Sequence, residues 1–230
     1  MDKRNILADF DRFLQEHGDE AYARLDDFLS QESSRFYDEH GYENDRIARQ
    51  AWVVIAGDVL EEIIRKLVKH FCAKHNLGIT SDRELANPAT LELERVRGNI
   101  EVFFNDYSLL PDADVVIFLP STCEVLAILS VKGSFRERYT ETPYWTLNLK
   151  QRQATRNVRV FMITPDRDGE ISRLGKHLRK ARIVMEYELD GIYLAKKEFD
   201  RSDKVRSISE LIGDLERLLL KVDYGNRKQG

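Results

Sequence analysis

Hydrophobic residues recur at two different periods along this chain, and the change from one to the other divides it. Ile6, Phe10, Phe13 and Leu14 fall at helical spacing over residues 3 to 15, and Tyr22, Leu25, Phe28 and Leu29 do so over 20 to 36. That spacing puts apolar side chains on one helix face, so two amphipathic helices are predicted. A polar break, DEHGYEND, leads into the longest helical pattern, residues 46 to 73, with Val53, Ala56, Leu60, Ile63, Ile64, Leu67 and Phe71 on one face. The segment KHNLGITSDRELANPAT then reads as loop with room for a short helix.

From residue 100 the period shortens. IEVFFN, ADVVIFL and EVLAILSVK are short runs rich in β-branched and aromatic residues between turn-like clusters, the pattern of strands. Residues 139 to 155 predict a helix, with Pro143 tolerated in its first turn. VRVFMIT reads as another strand, and residues 170 to 182 as a helix on Ile171, Leu174 and Leu178. IVMEYELDGIYLAK predicts two short strands about an Asp-Gly turn, and residues 207 to 222 a closing helix through Ile208, Leu211, Ile212, Leu215 and Leu218. A helical first half, then a central mixed β-sheet with flanking helices, is an α/β (α+β) layered architecture. The expected division is an acidic helical segment over 1–45 and a core over 46–230, together one compact domain.

Composition narrows the class. A chain of 230 residues can bury one substantial core, and its sparse Gly and Pro argue for a folded protein. No apolar run approaches the length of a membrane span, and the N-terminus lacks the basic-then-apolar layout of a secretory signal, so a cytoplasmic protein is expected. Cys72 and Cys123 lack the C-x-x-C spacing of a zinc or redox site. The histidines show no metal-ligand spacing either, and His70, His75 and His177 read as exposed. The net charge of −4 argues against a nonspecific coat for nucleic acid. Charge is unevenly placed, however: residues 1 to 45 hold 13 Asp/Glu against 5 Lys/Arg, whereas residues 130 to 160 hold 7 Lys/Arg against 2 Asp/Glu. A polyanion would be met by the second region.

That region follows the chain's most unusual juxtaposition. Lys132 ends a run as apolar as Val125-Leu126-Ala127-Ile128-Leu129, where an unpaired ammonium is costly. If Pro120-Ser121-Thr122-Cys123 turns the chain, the two flanking runs pair as a hairpin in which Asp114 faces Ser130 and Asp112 faces Lys132. Alternation along a strand then puts both aspartates beside the lysine. On the residues alone, an internal ion pair explains this as well as a catalytic site does.

The pattern Asp112-Ala113-Asp114-Val115-Val116-Ile117, a hairpin, then Ser130-Val131-Lys132 resembles the PD-(D/E)xK nuclease superfamily in its restriction endonuclease branch. The continuation KGSFRER resembles the type II restriction enzymes that read CC/GG-containing sites. The resemblance implies a homodimeric endonuclease that hydrolyses double-stranded DNA with Mg²⁺ at a short G·C-containing, CCGG-type palindrome, alongside a cognate DNA methyltransferase. It makes Asp114 the main metal ligand, with Asp112 beside it, and Lys132 the residue that positions the attacking water. Hard Mg²⁺ bound by one or two carboxylates suits phosphodiester hydrolysis, because it stabilises charge on the attacking and leaving oxygens.

Ser130 departs from the superfamily pattern, which has an acid two residues before the lysine; it would hold a metal-bound water without adding charge. Some relatives take the missing carboxylate from another element, often an upstream helix, and AGDVLEEIIRKLV offers two candidates. At 100° per residue from Ile64, Glu61 lies at about +60°, flanking the buried stripe, and Glu62 at about 160°, toward solvent. Glu61 is therefore the expected migrated carboxylate, the second metal ligand of the catalytic set. Glu141 stays open as an alternative, whereas Glu124 is roughly 26 Å along the strand from Lys132. Arg136, Glu137 and Arg138 offer the donors and acceptor that complement a G·C pair in the major groove. Lys150, Arg152 and Arg156, with Tyr139 and Thr140, are candidate phosphate contacts. Two other functions fit the same residues: a repair or junction-resolving nuclease, and a non-catalytic DNA-binding domain on a decayed core, the latter prompted by Ser130.

Overall fold

The computed structural model describes residues 2–40, 46–133, 139–173 and 178–227, with side chains through residue 220. Helix α1 (Lys3–His17) starts where the Asp2 side chain accepts the Arg4 N–H, and it buries Ile6, Phe10 and Phe13. It ends at Gly18, whose φ of 58° suits a residue without Cβ. The chain then coils as a 3₁₀ turn over Gly18–Arg24 before α2 (Leu25–His40), so the helix predicted from residue 20 is divided in two. Helix α3 (Arg46–Lys74) buries Trp52, Val59, Leu60, Ile63, Ile64, Val68, Phe71 and Cys72. Val53, expected on this face, is exposed. Trp52 lies close to three whole turns before Ile63, so it turns inward and Val53 turns away.

A six-stranded sheet forms the centre, in the order β1-β4-β5-β6-β7-β8. Its members are β1 (Gly78–Thr80), β4 (Val115–Phe118), β5 (Val125–Val131), β6 (Arg159–Thr164), β7 (Gly191–Leu194) and β8 (Val205–Ser207). Pairing is antiparallel from β1 through β5 and parallel from β5 through β8. The remaining strands, β2 (Val102–Phe104) and β3 (Tyr107–Leu109), make a separate two-stranded ribbon, so IEVFFN belongs to a strand outside the central sheet.

Helices cover both faces of the sheet. On one side Val115, Ile117, Ala127, Leu129, Val131 and Ile163 pack with α1, α2, α3 and α8 (Leu211–Arg227). The acidic N-terminal helices thus share a core with α3 and the sheet. On the other side Val116, Phe118, Ile128, Val160 and Met162 meet α4 (Asp82–Ala86), α5 (Leu91–Ile100), α6 (Glu141–Gln151) and α7 (Lys180–Glu188). Burial from both sides is why β4 and β5 are apolar at nearly every position rather than alternating.

Three sequence expectations are corrected. β1 lies in the segment read as loop; it is only three residues long, and Gly78 is required because a Cβ there would stand 2.2 Å from the Phe118 ring. The helix expected over 170–182 instead runs from Lys180 to Glu188, and Leu174 lies outside the described residues. IVMEYELDGIYLAK is consequently a helix end followed by one strand, not a hairpin. Ala181, Met185 and Leu189 bury one helical stripe there, and tertiary burial outweighs the local β-propensity of Ile183 and Val184. Among the described residues no helix is long and apolar enough to cross a membrane.

Candidate active site

The antiparallel pair β4–β5 is in register at Val115↔Leu129, Val116↔Ile128 and Ile117↔Ala127, with a bulge at Ile117/Phe118 near the turn. Carried back along the strands, that register sets Asp114 opposite Ser130 and Asp112 opposite Lys132. Lys132 Nζ donates to Asp112 Oδ2 at 2.5 Å and stands 3.7 Å from Asp114 Oδ2. Asp114 Oδ2 also accepts the Val131 N–H at 2.6 Å. The lysine backbone is fixed as well, because its N–H donates to Ile163 O on β6 at 3.0 Å. The ammonium that ends an apolar strand is therefore neutralised by two carboxylates at the head of its neighbour, at an edge where the side chains keep partial access to solvent.

The neighbouring α3 and α4 close this edge into a small cleft. A cavity of about 70 Å³ is lined by the carboxylates of Asp58, Glu61, Glu62, Asp82 and Asp114, with Ser81 and the cations Lys3, Arg65 and Arg83 around them. α4 is placed by two contacts: Ser81 caps it by accepting the Glu84 N–H at 3.3 Å, and the Asp82 N–H donates to Ala113 O at 2.9 Å. Glu61 is half-buried and Glu62 exposed, as the helix phase predicts. Burial, together with the Asp114 carboxylate, pushes the Glu61 carboxyl up to about 7. Burial also pushes Asp114 up to about 6, against the lowering pull of Lys132 and the Val131 N–H. Asp82 is raised for the same first reason. Burial alone would depress Lys132, but Asp114 and Asp112 outweigh it and hold the ammonium charged. Five carboxylates thus outnumber the three cations of a poorly solvated cleft, an excess of negative charge that a bound cation relieves.

The other predicted residues fall into distinct places. Ser130 is fully buried and its hydroxyl is within 3.0 Å of Thr142 Oγ1, so it fastens α6 to β5 rather than facing the cleft. Glu141, at the first turn of α6, lines an adjoining groove with Asp82, Arg83, Asp112 and Trp145, and its charge helps to keep the Lys132 ammonium protonated. Lys150 donates to Val158 O at 2.7 Å and pairs with Asp190 at 2.9 Å, an internal contact. Arg152 bonds the Glu101 carbonyl and lies over the Phe103 ring at 5.4 Å. Arg156 and Thr140 are exposed, and Tyr139 is partly buried. Arg136, Glu137, Arg138 and His177 lie outside the described residues. His70 is exposed, but His75 is partly buried beside Phe71. Sequence reasoning missed Asp82 and Arg83. The signal present was Ser81 followed by Asp and Glu, a helix start, but nothing in it says that the helix lands against Asp114.

Among the described residues no three acidic, histidine or cysteine side chains converge tightly enough to enclose a metal ion. The donor set nevertheless suits a hard divalent cation. Such an ion takes one or two protein carboxylates and keeps water in the rest of its shell, and Asp114 and Glu61 supply two hard oxygen donors in one cleft.

Sheet, covering helices and strand-end site together define the class, a restriction-endonuclease-like α/β protein. The solved structure titled restriction endonuclease PspGI–substrate DNA complex superposes with a TM-score of 0.56 at 13% identity, covering 96% of this chain and 94% of that one. The particular family is set by sequence. Residues 91–215 match the family described as BsaWI restriction endonuclease type 2, and the chain belongs to it. The protein named type II restriction enzyme HpyAORF263P of Helicobacter pylori is 43% identical over 178 residues, 73% of this chain and 92% of its own. The one named type II restriction enzyme MjaVIP of Methanocaldococcus jannaschii is 39% identical over 174 residues, 73% of this chain and 76% of its own. The chain is accordingly a type II restriction enzyme, a site-specific deoxyribonuclease.

Proposed function

We propose that the chain cleaves both strands of a short G·C-containing palindrome with a CCGG-type core, as a Mg²⁺-dependent homodimer working in the cytoplasm beside a cognate DNA methyltransferase. Asp114 and Glu61 hold the cation, Asp112 orients Lys132, and Lys132 sits where the attacking water and the scissile phosphate meet. A bound Mg²⁺ supplies charge stabilisation for the attacking and leaving oxygens. The chain's own residues do the rest. With its proton retained by two carboxylates, Lys132 acts through charge, drawing the phosphate to the strand edge and holding the water by a donated hydrogen bond. Asp114 is fixed by the Val131 N–H, so its remaining oxygen keeps one direction.

The observation that carries this reading is the β4–β5 register, which brings Lys132 Nζ to Asp112 and Asp114 from opposite strands. Arg136, Glu137 and Arg138 are proposed to read the G·C pairs, because they follow Lys132 by four to six residues in the sequence and offer the donors and acceptor that a G·C pair complements. Incubating plasmid or phage DNA with the protein and Mg²⁺, then sequencing the cut ends, tests the whole proposal. Discrete fragments ending within CCGG-containing palindromes are expected. Intact DNA across divalent metals would contradict the catalytic reading, and cuts only at branched DNA would favour the junction-resolving one.

A further inference from the structure

Arg83 is the second residue of α4, and its guanidinium stands 3.2 Å from Glu61 Oε2 and 3.5 Å from Asp58 Oδ1. Its side chain is 68% exposed, whereas that of Glu61 is 28% exposed. The residue borders two spaces at once: the cleft of Glu61 and Asp114, and the groove lined by Asp112, Glu141 and Trp145. Its backbone is anchored through the Ser81 cap and the Asp82 N–H to Ala113. A fixed helix start therefore holds a long, solvent-accessible cation against one proposed metal ligand.

We propose that Arg83 is a resident counter-charge on Glu61 which a divalent cation displaces, and that the freed, solvent-accessible guanidinium then takes a DNA phosphate. The inference rests on the reading of Glu61 as a ligand. Two features support the exchange. Arg83 is mostly exposed, so solvent screens its hold on Glu61, and an ion carrying twice the charge and contacting both Glu61 and Asp114 outcompetes it. Phosphate in turn offers a guanidinium a bidentate, charge-assisted partner. Arg83 then makes the DNA-free enzyme bind metal less tightly than its carboxylates alone would. Because linkage is reciprocal, DNA that draws Arg83 away tightens the metal site.

Calorimetric titration of the full chain with Ca²⁺, at fixed ionic strength and without DNA, tests the first half. R83Q should bind Ca²⁺ about twofold to fivefold more tightly than wild type, and R83K should stay near wild type. An R83Q affinity equal to or weaker than wild type overturns the proposal. E61Q run alongside separates this from its foundation: E61Q should bind Ca²⁺ more weakly, and wild-type affinity in E61Q removes Glu61 as a ligand and the inference with it. Repeating the titration with duplex DNA present tests the transfer to phosphate. DNA should tighten Ca²⁺ binding more in wild type than in R83Q, and an equal gain in both overturns that half.

Discussion

At the scale of single residues, the two neighbouring glutamates of α3 separate a geometric account from a compositional one. Both border the cleft, but Glu61 is half-buried and Glu62 is exposed, so Glu61→Gln should abolish cleavage while Glu62→Gln leaves it close to wild type. Stability should move the other way from activity. A carboxyl raised to about 7 is unfavourable when ionised in the fold, so the stability it costs is absent at low pH and grows as pH rises through the unfolded range toward 7. Glu61→Gln should therefore melt no lower than wild type at pH 8, read by calorimetry. A marked loss of melting temperature would mean that Glu61 is mainly a structural partner of Arg83. The Asp112, Asp114 and Lys132 juxtaposition was legible in sequence because strand alternation and a short turn determine which residues face each other. The direction of Ser130 was not: its hydroxyl answers to Thr142 on α6, a partner that strand pairing says nothing about.

At the scale of elements, the parallel half of the sheet depends on one carboxylate at the turn into β7. Asp190 accepts the Val160 N–H at 2.9 Å and pairs with Lys150 and Arg159, tying the α6 end and β6 to the loop before β7. Burial alone would raise its pKa, but those three partners together hold it below the usual carboxylate range. The sign follows: its contribution is present above the ordinary Asp value of about 3.9 and is lost as pH falls through the lower folded value. Asp190→Ala should cost about 1–3 kcal/mol at neutral pH, chiefly by leaving the buried Val160 N–H unpaired, with acid unfolding shifted accordingly; urea melts at pH 7 and pH 3 measure both. Lys150→Ala should show part of this loss. The same element shows why sequence reading erred here. Asp190-Gly191 looks like a hairpin turn, yet the aspartate is engaged with β6 and Lys150, and the apolar residues before it satisfy a helical stripe against the sheet.

At the scale of the whole molecule, the α/β layering was legible from periodicity, and the strand-end cluster of Asp112, Asp114 and Lys132 from strand pairing and from the resemblance. The layering of α4 against Asp114 needed the tertiary structure, since it depends on β1, a three-residue strand with no periodicity of its own. A palindromic site is most simply read by a two-fold protein with one active site per strand. Sedimentation on a CCGG-containing duplex in Ca²⁺ should thus give two chains per duplex, and one chain both free and bound would contradict the dimer. If the phosphodiester is broken at the Asp112–Asp114–Lys132 strand end, single-turnover cleavage by Lys132→Ala must show it. With the protein in excess over its mapped site, the variant should bind DNA in Ca²⁺ nearly as wild type does yet cut in Mg²⁺ about 10²–10³-fold more slowly or worse. Cleavage at the wild-type rate by the folded variant would remove Lys132 from the chemistry.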